Sequence, residues 1–145
     1  MPDDLRMEPG EAVVLAQRLI DEGRPFHAHE VFEAVWKSGP DDQRDLWQGL
    51  AQIAVGLTHA RRGNSRGAAS LLRRGSAAVD GYLARAEHSA NNSAGRPSGG
   101  LPADIDAAGI VGAATRLADR IAADGLLALT DADLRLRLKL QPPAG

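Results

Sequence analysis

The chain has no cysteine, which excludes a disulfide framework, a thiolate metal site and a cysteine nucleophile together. Aromatic residues are nearly as scarce, with two Trp, two Phe and one Tyr in 145 positions. Strands of sandwiches and barrels want branched and aromatic side chains, so this scarcity, beside abundant Ala, favours helices packed at close range. No sign of charge dominates: the formal net charge is −2 and the Arg residues are scattered among acids, so no basic face for nucleic acid is expected. No window approaches the roughly 20 consecutive apolar residues of a membrane span. Met1-Pro2-Asp3-Asp4-Leu5-Arg6 has neither the basic start nor the apolar run of a secretion signal. These absences predict a cytoplasmic protein that engages neither nucleic acid nor membrane. The length suffices to bury a core as one domain.

What is present is a series of amphipathic stretches separated by helix stops. Residues 1–9 read as a frayed leader. Pro9-Gly10-Glu11 opens a first helix whose apolar positions Val13, Val14, Ala16, Leu19 and Ile20 lead to a stop at Gly23. Pro25 suits the first turn of a second helix, which runs to Lys37 and ends at Ser38-Gly39-Pro40. Asp41 or Asp42 caps a third helix reaching Arg62, and Asn64 or Ser65 opens a fourth that extends to about Ala86. Within the fourth, Gly67, Gly75 and Gly81 are read as sites of close helix contact. The Asn, Ser, Gly, Arg and Pro composition from Ser89 to Leu101 buries too little to offset the entropy of ordering and predicts a flexible linker. A fifth helix is expected from Pro102 to Asp104 up to Asp124, with Ile105, Val111, Ala114, Leu117, Ala118 and Ile121 on its buried side.

The tail has a different period. Leu134-Arg135-Leu136-Arg137-Leu138-Lys139-Leu140 alternates apolar and cationic residues strictly, which is strand spacing. We read it as an extended arm laid over the core. The organisation expected is a single all-α domain over residues 1–145, a bundle of about five helices. It divides into a motif-bearing helical core (11–87), a linker (88–102), and a C-terminal helix with its arm (103–145).

The second and third helices carry the chemistry. On the third, Leu46, Leu50, Ile53 and Leu57 share one sector at 100° per residue, while Arg44, Gln48, Gln52, His59 and Arg62 gather in the opposite one. The flanking Ala51, Ala54, Val55 and Gly56 leave little polar surface for a solvated face, so both faces are expected to be covered. On the second helix His29 and Glu33 lie four apart and Glu30 and Glu33 three apart, so all can reach one edge. An antiparallel hairpin would set His29 opposite Gln52 to His59, and Glu33 opposite Gln48, with Trp36 and Trp47 around the cluster. His27 is placed at the rim and His88 beside the linker.

Three readings of this cluster compete. Buried carboxylates and imidazoles need partners, so it can be a structural network that fixes helix register. It can be a site for one divalent ion, zinc, manganese or iron, held by His29, Glu33 and His59. It can be a metal-free acid–base site with Glu30 or Glu33 as base and His29 or His59 as acid, acting as a hydrolase would. A non-enzymatic scaffold or interaction protein is the main reading and a metal-dependent or acid–base, hydrolase-like enzyme the alternative, and a homodimer through an exposed helix face or the arm is the partner expected.

The block Phe26-His27-Ala28-His29-Glu30-Val31-Phe32-Glu33-Ala34-Val35-Trp36, followed by Trp47-Gln48-Gly49-Leu50-Ala51-Gln52, His59 and Arg62-Gly63-Asn64 with Gly67-Ala68 and Leu71-Leu72, resembles a small prokaryotic helical family known only as domain of unknown function 309. The resemblance covers residues 11 to 86. It implies an all-helical domain in which His29, Glu30, Glu33, Trp36, Gln48, Gln52 and His59 make up the motif, and it implies no activity.

Overall fold

The computed structural model describes residues 8–39, 41–92 and 105–139. Five helices account for most of them: α1 (Pro9–Asp21), α2 (Pro25–Ser38), α3 (Arg44–Arg61), α4 (Ser65–Asn92) and α5 (Ala107–Asp124). Each packs on the next in chain order, as consecutive elements usually do. The fold is all-α, and among the described residues the only β pairing is a single bridge between Ile105 and Lys139. No helix among them is long and apolar enough to cross a membrane.

Local chemistry fixes the helix ends. α1 and α2 each begin with Pro in the first turn, where the missing N–H costs nothing. α1 closes through Gly23, whose φ of 80° is favourable only to Gly, and the Arg24 N–H reaches back to the Leu19 carbonyl at 2.7 Å. α3 closes the same way, with Gly63 at φ 82° and the Asn64 N–H on the His59 carbonyl at 2.8 Å. Asn64 then caps α4, its Oδ1 accepting from the Gly67 N–H at 2.9 Å. The expected Asp cap of α3 is absent: Asp41–Gln43 form a 3₁₀ turn, and α3 starts behind Gln43 without a side-chain cap.

The core is aliphatic and anchored by Trp47, which is fully buried. Its Nε1–H donates to Gln43 Oε1 at 3.1 Å, and its ring lies 6.3 Å from that of Phe32. α3 and α4 approach until their backbones touch. A Cβ placed on Gly75 would sit 2.6 Å from the Gly49 carbonyl, and one on Gly49 would sit 2.9 Å from that of Gly75. The close-contact reading thus holds at Gly75. It does not hold at Gly81, where a Cβ would meet only the Arg85 side chain, at 3.6 Å.

Three boundaries differ from expectation. α4 continues to Asn92, so residues 88–92 of the expected linker are helical, because extending an existing helix is far easier than nucleating one. The rest of that linker lies outside the described residues up to Ile105, as does the leader up to Met7. Ile105 is buried in extended backbone and pairs with Lys139 instead of sitting in α5. α5 begins at Ala107 behind Asp106, whose Oδ1 accepts from the Gly109 N–H at 3.0 Å.

The arm alternates as its period requires. Leu134, Leu136 and Leu138 are buried, while Arg135, Arg137 and Lys139 face outward. Gln17 on α1 holds it at two points: its Nε2 donates to the Leu136 carbonyl at 3.0 Å, and its Oε1 accepts from the Leu138 N–H at 2.8 Å. A side-chain amide here supplies the donor and acceptor that a neighbouring strand would.

Candidate functional site along the α2–α3 seam

Phe26, His29, Glu33 and Trp36 recur at offsets of three and four on α2, so they form one stripe. Along α3, Gln48, Gln52, Val55 and His59 do the same, and all four are half-buried. The Arg62 guanidinium lies 5.8 Å from the centre of the Phe26 ring, which ties the start of α2 to the end of α3 and makes the pair antiparallel. With α2 and α3 antiparallel, the His29 end of the α2 stripe lies toward the His59 end of α3.

Along this seam His29 Nε2 meets Glu33 Oε1 at 3.3 Å. The imidazole is mostly covered, at 20% exposure, whereas the carboxylate is 37% exposed. The Phe26 ring lies 5.4 Å from that of His29 and shields its outer side. Glu30 and Arg44 are exposed and stand outside the cluster. His59 turns away toward the end of its own helix, with Nδ1 3.0 Å from Asn64 Nδ2. Among the described residues no three His, Asp or Glu side chains are grouped as the ligands of one ion would be. The expected set of His29, Glu33 and His59 is therefore reduced to the His29–Glu33 pair, because the α3 stop recruits His59 to Asn64. The expectation that both faces of α3 are covered is half met: the aliphatic face is buried and the Gln face is half-buried.

Two atoms on the α2 stripe stand out. His29 Nδ1 and Trp36 Nε1 are buried without a hydrogen-bond partner. A buried polar atom left unpaired costs about 1–3 kcal/mol, so native proteins leave few of them. The Trp36 indole can only donate, whereas an imidazole nitrogen donates or accepts according to its tautomer. A third orphan, Arg61 Nε, belongs to a different place: the Arg61 guanidinium lies against Gly23 and binds Asp131 at 2.6 Å.

Residues 13–71 match the model of a family described as Domain of unknown function (DUF309). The matched span takes in the whole of α2 and α3, and therefore every residue of the seam, and stops within α4. A second comparison finds the Uncharacterized protein YpuF of Bacillus subtilis (strain 168), 44% identical over 48 residues. That alignment covers 32% of this chain and 28% of the relative, so the chain accounts for less than a third of the relative's length. No solved structure matches. Neither name carries an activity, so the reading of the seam rests on its geometry.

Two residues outside the expected cluster contribute to the seam, Phe26 and Arg62. Phe26 is 42% exposed and closes the end of the seam. The signal for it is its offset of three from His29 behind a Pro at the helix start. Arg62 already stood on the polar stripe, three positions after His59.

Proposed function

We propose that the DUF309 region of this chain is a non-enzymatic binding module of the cytoplasm, which takes a short extended polypeptide segment along the α2–α3 seam. The observation that carries this reading is the pair of orphaned ring nitrogens on one stripe, His29 Nδ1 and Trp36 Nε1, which are covered in the free chain, so a segment pairs with them only once the side chains of the seam part. Trp36 Nε1 wants an acceptor and His29 Nδ1 takes a donor or an acceptor according to its tautomer, and a peptide backbone offers both in alternation. The two residues are seven apart, about 10 Å along a helix axis at 1.5 Å per residue. An extended chain covers that distance in roughly three residues. The half-buried Gln48 and Gln52 amides add donors and acceptors beside that path, and Phe26 gives an apolar contact at its end.

Acid–base chemistry is the second reading, and the His29–Glu33 contact at 3.3 Å favours it. Against it, Glu30 is exposed and His59 is turned to Asn64, so neither joins the dyad. Selection from a random extended-peptide library on the full chain, followed by mapping of the selected peptide through amide chemical shifts, separates the two. Binding predicts perturbed signals on α2 and α3 around Phe26, His29, Trp36, Gln48 and Gln52. Perturbations elsewhere, or no selected peptide, would remove the reading.

A further inference from the structure

The inner side of α1 is committed to the core, with Ala12, Val13, Ala16 and Ile20 buried. Its outer side is not the polar face that solvent exposure calls for. Val14 is 58% exposed, and with Gly10, Glu11, Leu15 and Arg18 it lines a shallow hollow of about 390 Å³. Glu11, Val14, Leu15 and Arg18 follow the i, i+3, i+4, i+7 rule and so form a single face.

The order of that face has a symmetry. Glu11 and Arg18 lie at equal distances on either side of the Val14–Leu15 peptide bond. Reversing the helix direction exchanges acid and base and leaves the apolar pair at the centre, so the face is complementary to an antiparallel copy of itself. Among the described residues neither Glu11 nor Arg18 belongs to an ion pair. At Gly10 an added Cβ would meet nothing within 4 Å, so the α1 backbone is open to close approach there.

We propose that this face of α1 docks on a second copy of the chain, antiparallel across a two-fold axis. In such an isologous contact Glu11 of each copy meets Arg18 of the other, and Val14 of each meets Leu15 of the other. The charges set orientation and register, and the apolar centre supplies the attraction. Two helices of under four turns form a small interface, so association is expected in the micromolar range. The proposal does not depend on the α2–α3 seam, which lies on other helices; a dimer of this kind would present two seams.

Sedimentation equilibrium of the full chain, from about 1 to 200 µM to bracket a weak interface, is the test. The wild type is expected to reach a dimer within that range, and Val14→Arg to stay monomeric. Glu11→Arg and Arg18→Glu alone should each weaken association at least tenfold, because each places like charges opposite one another twice. An equimolar mixture of these two variants should dimerise again, since every cross-pair is then opposite in sign. The positions are exposed, so helical circular dichroism should be unchanged. A wild type that is monomeric throughout, a dimer that survives Val14→Arg, or a mixture that fails to recover would each overturn the proposal.

Discussion

The Leu138 N–H donates to Gln17 Oε1 at 2.8 Å, joining the C-terminal arm to the first helix across 121 positions of sequence. The same carboxamide donates to the Leu136 carbonyl at 3.0 Å, so one side chain satisfies two backbone groups of an extended segment. Gln17→Ala removes both bonds. With each worth about 0.5–1.5 kcal/mol, the loss of stability expected in urea unfolding is about 1–3 kcal/mol. Amide exchange at Leu138 should accelerate more than exchange in α3, whose own hydrogen bonds are untouched.

The α3–α4 contact makes an opposite demand at Gly75. On helix propensity alone, Gly75→Ala should stabilise α4 by up to about 1 kcal/mol. The added Cβ would sit 2.6 Å from the Gly49 carbonyl and 2.5 Å from Ile53 Cγ1, and backbone cannot yield as a flexible side chain can. A net destabilisation of about 1–3 kcal/mol is therefore expected from overpacking. Gly81→Ala, where the space is open, should be neutral or stabilising, and paired thermal melts compare them.

Asp131 gives the stability a dependence on acid. The hydrogen bond from Arg61, followed by the charge of that guanidinium and the contact with Arg135, holds its carboxyl below the ordinary value of 3.8. A depressed carboxylate stabilises the fold fully above its unfolded pKa, and the contribution fades as pH falls through the lower folded value. Asp131→Asn should consequently melt below the wild type at about pH 6, and the gap should close as pH drops through 3.8 and below. Because the group is exposed to solvent, added salt should narrow the gap too.

Glu33 distinguishes a recognition surface from a register-fixing network. Its carboxylate is 37% exposed, and ion pairs of that kind contribute less than about 1 kcal/mol. Glu33→Gln should leave the unfolding free energy within that margin. A loss of about 3–5 kcal/mol, as when a buried pair is broken, would mean that the His29–Glu33 contact is architectural.

The helices were legible because their apolar periodicity is strong and Gly23, Gly63 and the prolines punctuate it; the arm was legible from the alternation of Leu with Arg and Lys. The seam stripe on α2 and the Gln stripe on α3 could be placed for the same reason, since helical spacing fixes which side chains share a face. The extent of α4 could not, because composition marks Ser89 onward as a linker while an adjoining helix carries its residues as far as Asn92. The role of His59 could not either. Spacing puts it on the polar stripe, but the turn that ends α3 brings Asn64 to its ring, and such an alternative partner is invisible until the chain direction reverses. Ile105 fits the apolar period of α5 yet is taken by Lys139, a pairing set by the arm, 34 positions later.

The most direct measurement compares the wild type with Trp36→Phe in both unfolding free energy and affinity for a seam-selected peptide. Trp36 packs against the core, but its Nε1–H is buried and unpartnered in the free chain, so in the phenyl variant the lost packing and the removed unpaired donor offset each other and stability should change by less than about 1 kcal/mol. If a peptide carbonyl occupies that donor, affinity should fall about five- to tenfold, corresponding to about 1–1.4 kcal/mol. A variant that is destabilised while binding the peptide with undiminished affinity would contradict the account, since Trp36 would then be part of the core and not of a recognition surface.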